Sequence, residues 1–462
     1  MKTRLYLLKW AVLILAGAGF IWLKTFGFHH SAGGDENTYF YMARLMTEGK
    51  LFYRDFFYAH PPFNLLLLTL IYGVFGFHLA ALKLTASLPV LAAGAVLYLR
   101  FWKRERGLAA IFFLAIFLFT YELLKVTTHP FGVSLAASFL TFSLYFFLED
   151  RPLAAGVSWG LASVTGLYSL PWGVFAGLYY LSSPSRRRLL GKFLLGFFLV
   201  FGTVNGAALL LFGERYYTPV YLYHLLKPRG PELIADIYIR TLRRNFLIFL
   251  LPFLYLWVPK TAKRNTVWGA AVGYLLILAA TNPLFTQYFM LPIPYLAWIG
   301  AVSLSGLVRS FPAVARRAGA LALSLAIISG STADNISRYL ERERIIGFET
   351  EERCRDYILE NSQPGDLLFG HVTVAPLLAL LTDRAIALDF VDTNHMRFRS
   401  GLADFGRVME ELREEERLKF VIVSENRFWT SPEVISHLAR CRRAAVFDEP
   451  RGRIVIYDCR PE

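Results

Sequence analysis

Charged side chains are scarce. Asp, Glu, Lys and Arg together make up 18% of the chain, where a soluble domain carries about 25%. Cysteine is scarcer still, with three residues (Cys354, Cys441 and Cys459), all in the C-terminal part. None is in CxxC or metal-ligand spacing, which argues against a zinc site. Cys441 and Cys459 could pair if their surroundings are oxidising, and spacing alone does not decide it. The C-terminal part has no glycine-rich phosphate loop either, and its Gly370–His371 pair is too small a signal to define a site.

In place of charge there is apolar surface: 55% of the 462 residues are hydrophobic, 16% are aromatic, and phenylalanine alone occurs 40 times. Up to about Gly330 the chain is a series of apolar segments of roughly 16 to 25 residues, long enough as helices to span a hydrocarbon core of about 30 Å. This is the pattern of an α-helical polytopic membrane protein. Residues 1–26 carry Lys2, Arg4 and Lys9 ahead of a long apolar run. The apolar run is long and no convincing small-x-small cleavage site precedes Asp35, so they read as a retained first helix rather than a signal peptide. The formal net charge of +14 reads as orientation signal, since Lys and Arg crowd the cytoplasmic breaks of membrane proteins. A nucleic-acid partner is not implied.

The basic clusters set the expected topology. They are the N-terminus, 100–106, 185–188, 260–264, and Arg309 with Arg316 and Arg317. With all of them cytoplasmic, helix 1 runs outward and residues 28–62 and 214–243 form two external loops. Residues 63–100 hold apolar length for two passes, but the flanking charges require an odd number. The stretch 63–77 is therefore expected to be re-entrant or surface-lying, with 79–100 crossing. The total is about eleven membrane helices, twelve or thirteen being the alternative count. The expected domains are a transmembrane domain at 1–335 and a small soluble α/β domain at 345–462, the latter extracytoplasmic. In that domain "LKFVIVS" reads as a buried strand, "VAPLLALLTDR" and "PEVISHLARC" as helices, and "AAVFDEPRGRIVIYDC" as a β-hairpin.

The first external loop, "GGDENTYFYMARLMTEGKLFYRDFFYAHPPF", is where acids and bases concentrate: Asp35, Glu36, Arg44, Arg54, Asp55 and His60. Gly33 and Gly34 release the chain from helix 1, and Asp35 is expected to cap a short helix that lies in the headgroup layer. A carboxylate held at a bilayer edge can take a proton from a hydroxyl at neutral pH. Nearby arginines can hold a phosphate leaving group.

An Asp-Glu pair after helix 1, then "Y…AR…G…YRDFF", then "HPP", resembles the GT-C glycosyltransferases. Within them it is similar to the protein mannosyltransferases (glycosyltransferase family 39-type) and the lipid A aminoarabinose transferases. The resemblance implies transfer of a hexosyl or pentosyl group from a polyprenyl-phosphate donor to an acceptor hydroxyl on a protein, lipid or glycan. It implies that this happens on the extracytoplasmic face, with inversion. It casts Asp35 as general base, Glu36 as its companion acid and His60 as a phosphate-facing residue, with Arg44 and Arg54 alongside. Where relatives carry "R…D" in the next loop this chain has "YELLKVTTHP", so Glu122, Lys125 or His129 takes that place, His129 being preferred. Gln287 and Tyr288 of "NPLFTQYFM" correspond to a late external turn that approaches the donor. Lys227 and Arg229 in the second loop read equally as lipid-phosphate ligands or headgroup anchors. No cofactor is required by these residues, a divalent cation being left open. The rival readings are a transporter or flippase of a lipid-linked substrate and a non-catalytic membrane scaffold. A transporter would place charges in mid-membrane and show inverted repeats.

Overall fold

The computed structural model describes residues 2–31, 33–105, 107–228, 230, 232–281, 283–346, 348–424, 432–449 and 452–460. The chain forms two compact units. The first comprises Met1–Gly27, Lys83–Ala207 and Arg229–Glu343; the second comprises Phe28–Leu82, Ala208–Pro228 and Arg344–Glu462.

The first unit is helical. Helices long and apolar enough to cross a bilayer are Leu5–Thr25 (within α1, Lys2–Thr25), Leu79–Arg104, Pro184–Phe212 and Thr286–Ser310. The last is 89% buried and lies at the centre of the helical packing, whereas Leu5–Thr25 is 6% buried and lies at its edge. Other apolar helices are shorter, including Gly107–Leu118 and Val133–Leu148. At 1.5 Å per residue, helices of this length reach only about 18–24 Å. The count of about eleven crossings therefore rests on these shorter segments. The buried lysine of α1 is answered inside this unit: the Lys24 ammonium donates to the Leu124 carbonyl and lies 4.7 Å from the Tyr339 ring centre.

In the second unit the first loop folds as α2 (Asp35–Thr47) and α3 (Phe63–Phe75). At 13 residues α3 is too short to cross, in keeping with its apolar sequence and Gly76 stop. It is followed by α4 (Leu79–Arg104). Protein surrounds α2. Residues 36–43 and Leu45 are all buried, so the helix is enclosed on every side rather than on one face. Tyr41 accepts a 2.7 Å hydrogen bond from the Ile386 N–H, and Asn37 donates to the Thr373 carbonyl at 2.7 Å.

Those partners belong to the C-terminal sheet and its loops. The strands are β1 (Leu367–Gly370), β2 (Ala385–Ile386), β3 (Leu418–Ser424), β4 (Arg442–Glu449) and β5 (Gly452–Asp458), in the order β2-β1-β3-β5-β4. The β1 strand pairs parallel with β2 and β3, while β5 pairs antiparallel with β3 and β4. Leu367, Phe369, Val421 and Val423 pack with Val408, Met409 and Leu412 of the helix Phe405–Glu414 to form its core. The expected strand at 418–424, the hairpin and the helices 375–382 and 432–438 are present. Cys441 and Cys459 form a disulfide beside the Arg442–Asp458 end of the hairpin.

Gly370 closes β1 against the β3 backbone. A Cβ there would lie 2.0 Å from the Ile422 carbonyl oxygen. The same turn receives the Thr393 hydroxyl on the Gly370 carbonyl at 2.8 Å, which fixes the position of the neighbouring Asp392. Gly370→Ala is therefore expected to destabilise the second unit by about 1–3 kcal/mol. Hydrogen exchange of the β1 and β3 amides in the full chain reads this directly as faster exchange.

Candidate active site

The site is assembled within the second unit. Gly34 (φ 62, ψ −132) occupies the cap position of α2, in a backbone conformation that favours glycine. The expected capping role thus passes from Asp35 to a residue without a side chain, and Asp35 becomes the first helical residue. Its side chain is freed from that structural duty.

Protein encloses Asp35 closely although part of its surface stays accessible. Burial, and secondarily the like charge of Asp392, raises its acid to about 6, against the pull of the Lys227 ammonium. Asp392 is also raised, chiefly by burial, while Arg397, the Asn394 N–H and Lys227 draw it back. Burial lowers Lys227, and both carboxylates oppose that. Two acids and two cations (Asp35, Asp392, Lys227 and Arg397) thus form one interacting set. Lys227 is held over the Tyr223 ring at 4.5 Å. It follows a helical stretch at 214–226 whose middle is a π turn, Thr218–Leu222.

His60 joins the same set. Its ring centre lies 5.4 Å from that of His224 and 6.1 Å from that of Tyr39. Burial first, then His224 and Lys227, hold it well below the usual histidine range. His224 is pushed down to about 4, mainly by burial, and its Nε2–H donates to the Ala59 carbonyl at 2.7 Å. Both rings are neutral at pH 7. His60 can therefore donate or accept a hydrogen bond but does not supply a positive charge.

The remaining expected site residues are placed differently. Glu36 is fully buried and accepts from the Ser31 hydroxyl at 3.2 Å. As the next residue on a helix, its side chain projects about 100° away from that of Asp35, so it holds the loop that precedes α2. Arg44 pairs with Glu48 at 2.7 Å and Asp383 at 2.8 Å, tying α2 to the C-terminal segment. Arg54 is half exposed and pairs with its neighbour Asp55 at 2.8 Å. Arg229 lies outside the described residues.

His129, Gln287 and Tyr288 belong to the helical unit. There His129 is buried and its Nε2 accepts from Arg342 at 3.1 Å. Lys125 pairs with Glu122 and donates to Thr286 at 3.1 Å, and the Tyr288 ring lies tilted against that of Tyr168, 5.1 Å between centres. Asp392, Arg397 and His224 were not anticipated; "DFVDTNHMRFRS", polar inside an otherwise apolar α/β pattern, was the available signal. Among the described residues the one cluster with metal-ligand spacing is His437, Cys441 and Cys459, and the disulfide occupies both sulfurs.

A buried carboxylate whose acid is raised costs stability once ionised. Between about pH 4 and 6 the folded chain holds the Asp35 proton that the unfolded chain releases, so this contribution falls as pH rises and is lost above 6. His224 acts in the opposite sense over nearly the same range. Asp35→Asn should then gain stability over wild type by up to about 3 kcal/mol at pH 7.5. The gain should shrink towards zero at pH 4. Paired thermal denaturation curves at the two pH values test this.

No family model and no curated relative matches the chain. Solved structures do. ArnT from Cupriavidus metallidurans, bound to undecaprenyl phosphate, superposes with a TM-score of 0.74 at 14% identity, over 99% of this chain and 98% of that one. The archaeal oligosaccharyltransferase AglB from Archaeoglobus fulgidus, in complex with an inhibitory peptide and a dolichol phosphate, superposes at 0.57 and 12% identity, over 97% and 74%. Arabinofuranosyltransferase AftD from Mycobacteria superposes at 0.52 and 14% identity, over 97% of this chain and 41% of that one. The superposition on ArnT, nearly full-length on both chains, identifies the fold of this chain as the one ArnT adopts: long apolar helices with a small C-terminal sheet.

Proposed function

We infer that the chain is an integral membrane glycosyltransferase that moves a sugar from a polyprenyl-phosphate donor to an acceptor hydroxyl. The observation that carries this reading is the Asp35 carboxyl, raised to about 6 beside Lys227 and Asp392. At neutral pH it is ionised, desolvated and therefore a better base than a solvated aspartate. The carrier lipids held by the ArnT and AglB structures support a lipid-borne donor, and the apolar helices give such a lipid a surface to lie against.

In the proposed reaction the acceptor hydroxyl passes its proton to Asp35 while its oxygen bonds to the anomeric carbon. The bond from that carbon to the phosphate oxygen breaks on the opposite face, which inverts the centre. The polyprenyl phosphate leaves with the electron pair, and the Lys227 ammonium stabilises its charge. His60, being neutral, contributes a hydrogen bond. A divalent cation would find carboxylates at Asp35 and Asp392, where Lys227 already supplies positive charge. The membrane orientation follows the basic clusters: N-terminus cytoplasmic, Asp35 and the C-terminal sheet extracytoplasmic.

Incubating the detergent-solubilised protein with radiolabelled polyprenyl-phosphate sugars and mixed acceptors tests the reading. Asp35→Asn should lower transfer by about 10²–10⁴-fold and Lys227→Gln by about 10²-fold, both with unchanged melting behaviour or better. Transfer by Asp35→Asn within tenfold of wild type would remove Asp35 from the chemistry. Lipid translocation without any transfer would favour the flippase reading instead.

A further inference from the structure

Resting on the transferase reading above, the second unit also contains a place for the acceptor. A cavity of about 480 Å³ lies among the first loop, the 214–219 segment and the C-terminal domain, lined by residues that include Tyr53, Phe57, Arg215, Leu388, Asp389 and Arg397. Its volume falls within the range of small-molecule sites.

Three features mark it as built rather than incidental. The first is backbone strain. Among the described residues five that are not glycine have positive φ, and three of them line this cavity: Tyr53 (φ 65), Leu388 (φ 59) and Asp389 (φ 50). Such conformations cost about 1–3 kcal/mol each and gather at ligand sites. Leu388 also keeps 38% of its surface exposed, an apolar side chain held in a strained position at an opening.

The second is Arg397. Its guanidinium is held between two rings, 4.3 Å from the Phe57 centre and 4.2 Å from the Phe390 centre. One nitrogen donates to the Asp392 carbonyl at 3.2 Å, and its buried Nε–H has no partner among the described residues. A planar donor group held against two rings is pre-organised to meet an acceptor atom brought in by a ligand.

The third is continuity with the acid site. Phe57 packs edge-on against Tyr223 at 5.4 Å, and Lys227, which senses Asp35, lies over that ring. On the other wall Tyr53 donates to the His60 carbonyl at 2.6 Å. The cavity wall therefore rests on the residues around the base, and Arg397 belongs both to that wall and to the set that includes Asp392.

The lining also selects the chemistry of its occupant. Arg54, Arg215 and Arg397 are matched by Asp55, Glu214 and Asp389. Arg54 is already paired with Asp55, and Asp389 with Lys50. The lining thus mixes both signs and is not the cluster of free cations that a phosphate or a polyacid would call for. The partly exposed rings of Phe57 and Phe390 suit the C–H faces of pyranose or furanose rings, and the donors and acceptors beside them suit vicinal hydroxyls. We propose that this cavity is the acceptor subsite and that it binds the terminal residues of a neutral glycan.

The test uses the full chain in detergent with a radiolabelled polyprenyl-phosphate sugar and three acceptor sets. These are neutral oligosaccharides (mannotriose, maltotriose and an arabinan trimer), serine- and threonine-containing peptides, and a phosphate-bearing glycolipid. Transfer to at least one neutral oligosaccharide and not to the other sets is expected. Leu388→Trp, which fills the cavity mouth, and Phe57→Leu, which removes a ring face, should each raise the acceptor KM at least tenfold while the donor KM moves less than twofold. Saturation-transfer NMR with the same trisaccharides reads binding without turnover, and Leu388→Trp should abolish it. Preferred transfer to peptides or to the phosphate-bearing lipid overturns the glycan assignment and leaves the transferase reading standing. An unchanged acceptor KM in both folded variants overturns the cavity assignment. An absence of donor turnover together with an absence of trisaccharide binding overturns both.

Discussion

A carboxylate kept out of bulk water beside one ammonium and a second carboxylate is the constraint around which the second unit is organised. Desolvation alone would leave Asp35 protonated and inert, and a close cation alone would leave it a weak base. The two together with Asp392 set its acid at about 6, where the ionised form dominates at neutral pH yet still holds a proton well. His60 and His224 stay neutral in the same surroundings, so Lys227 and Arg397 are the positive charges of this cluster.

The fold produces that setting by bringing together residues from three distant segments. Asp35 comes from the first turn of α2, Lys227 from the end of the 214–226 helical stretch, and Asp392 and Arg397 from the loop after β2 and the short helix His395–Arg399. Their common support is the parallel part of the sheet. Tyr41 and Asn37 fix α2 to β2 and to the turn after β1, and Gly370 admits the backbone approach that places Thr393 and its neighbour Asp392. The C-terminal α/β domain therefore contributes ionisable groups to the same unit as the first loop.

The sequence made some of this legible and left the rest hidden. Asp35, His60 and Lys227 stood out because a polar or charged residue in an apolar chain is conspicuous, and the alternation of helices and strands after residue 345 foretold the sheet. Arg44 and Arg54 stood out for the same reason, yet their charges are answered by Glu48, Asp383 and Asp55. Composition does not distinguish an arginine that has a local partner from one that awaits a ligand. Asp392 and Arg397 were hidden by distance along the chain, because only tertiary packing brings them to Asp35. The capping role expected of Asp35 failed for a local reason: with two glycines ahead of it, the left-handed turn falls on Gly34 and moves the helix start one residue on.

The account stands on Asp35 being the group whose ionisation permits transfer. The most direct measurement is the pH dependence of kcat/KM for sugar transfer from pH 4.5 to 8.5, in wild type and in Asp35→Glu, which keeps a carboxylate. Wild-type activity should rise with a single inflection near pH 6, and the inflection should move in Asp35→Glu. A flat profile over this range, or an inflection unmoved by that substitution, would contradict it.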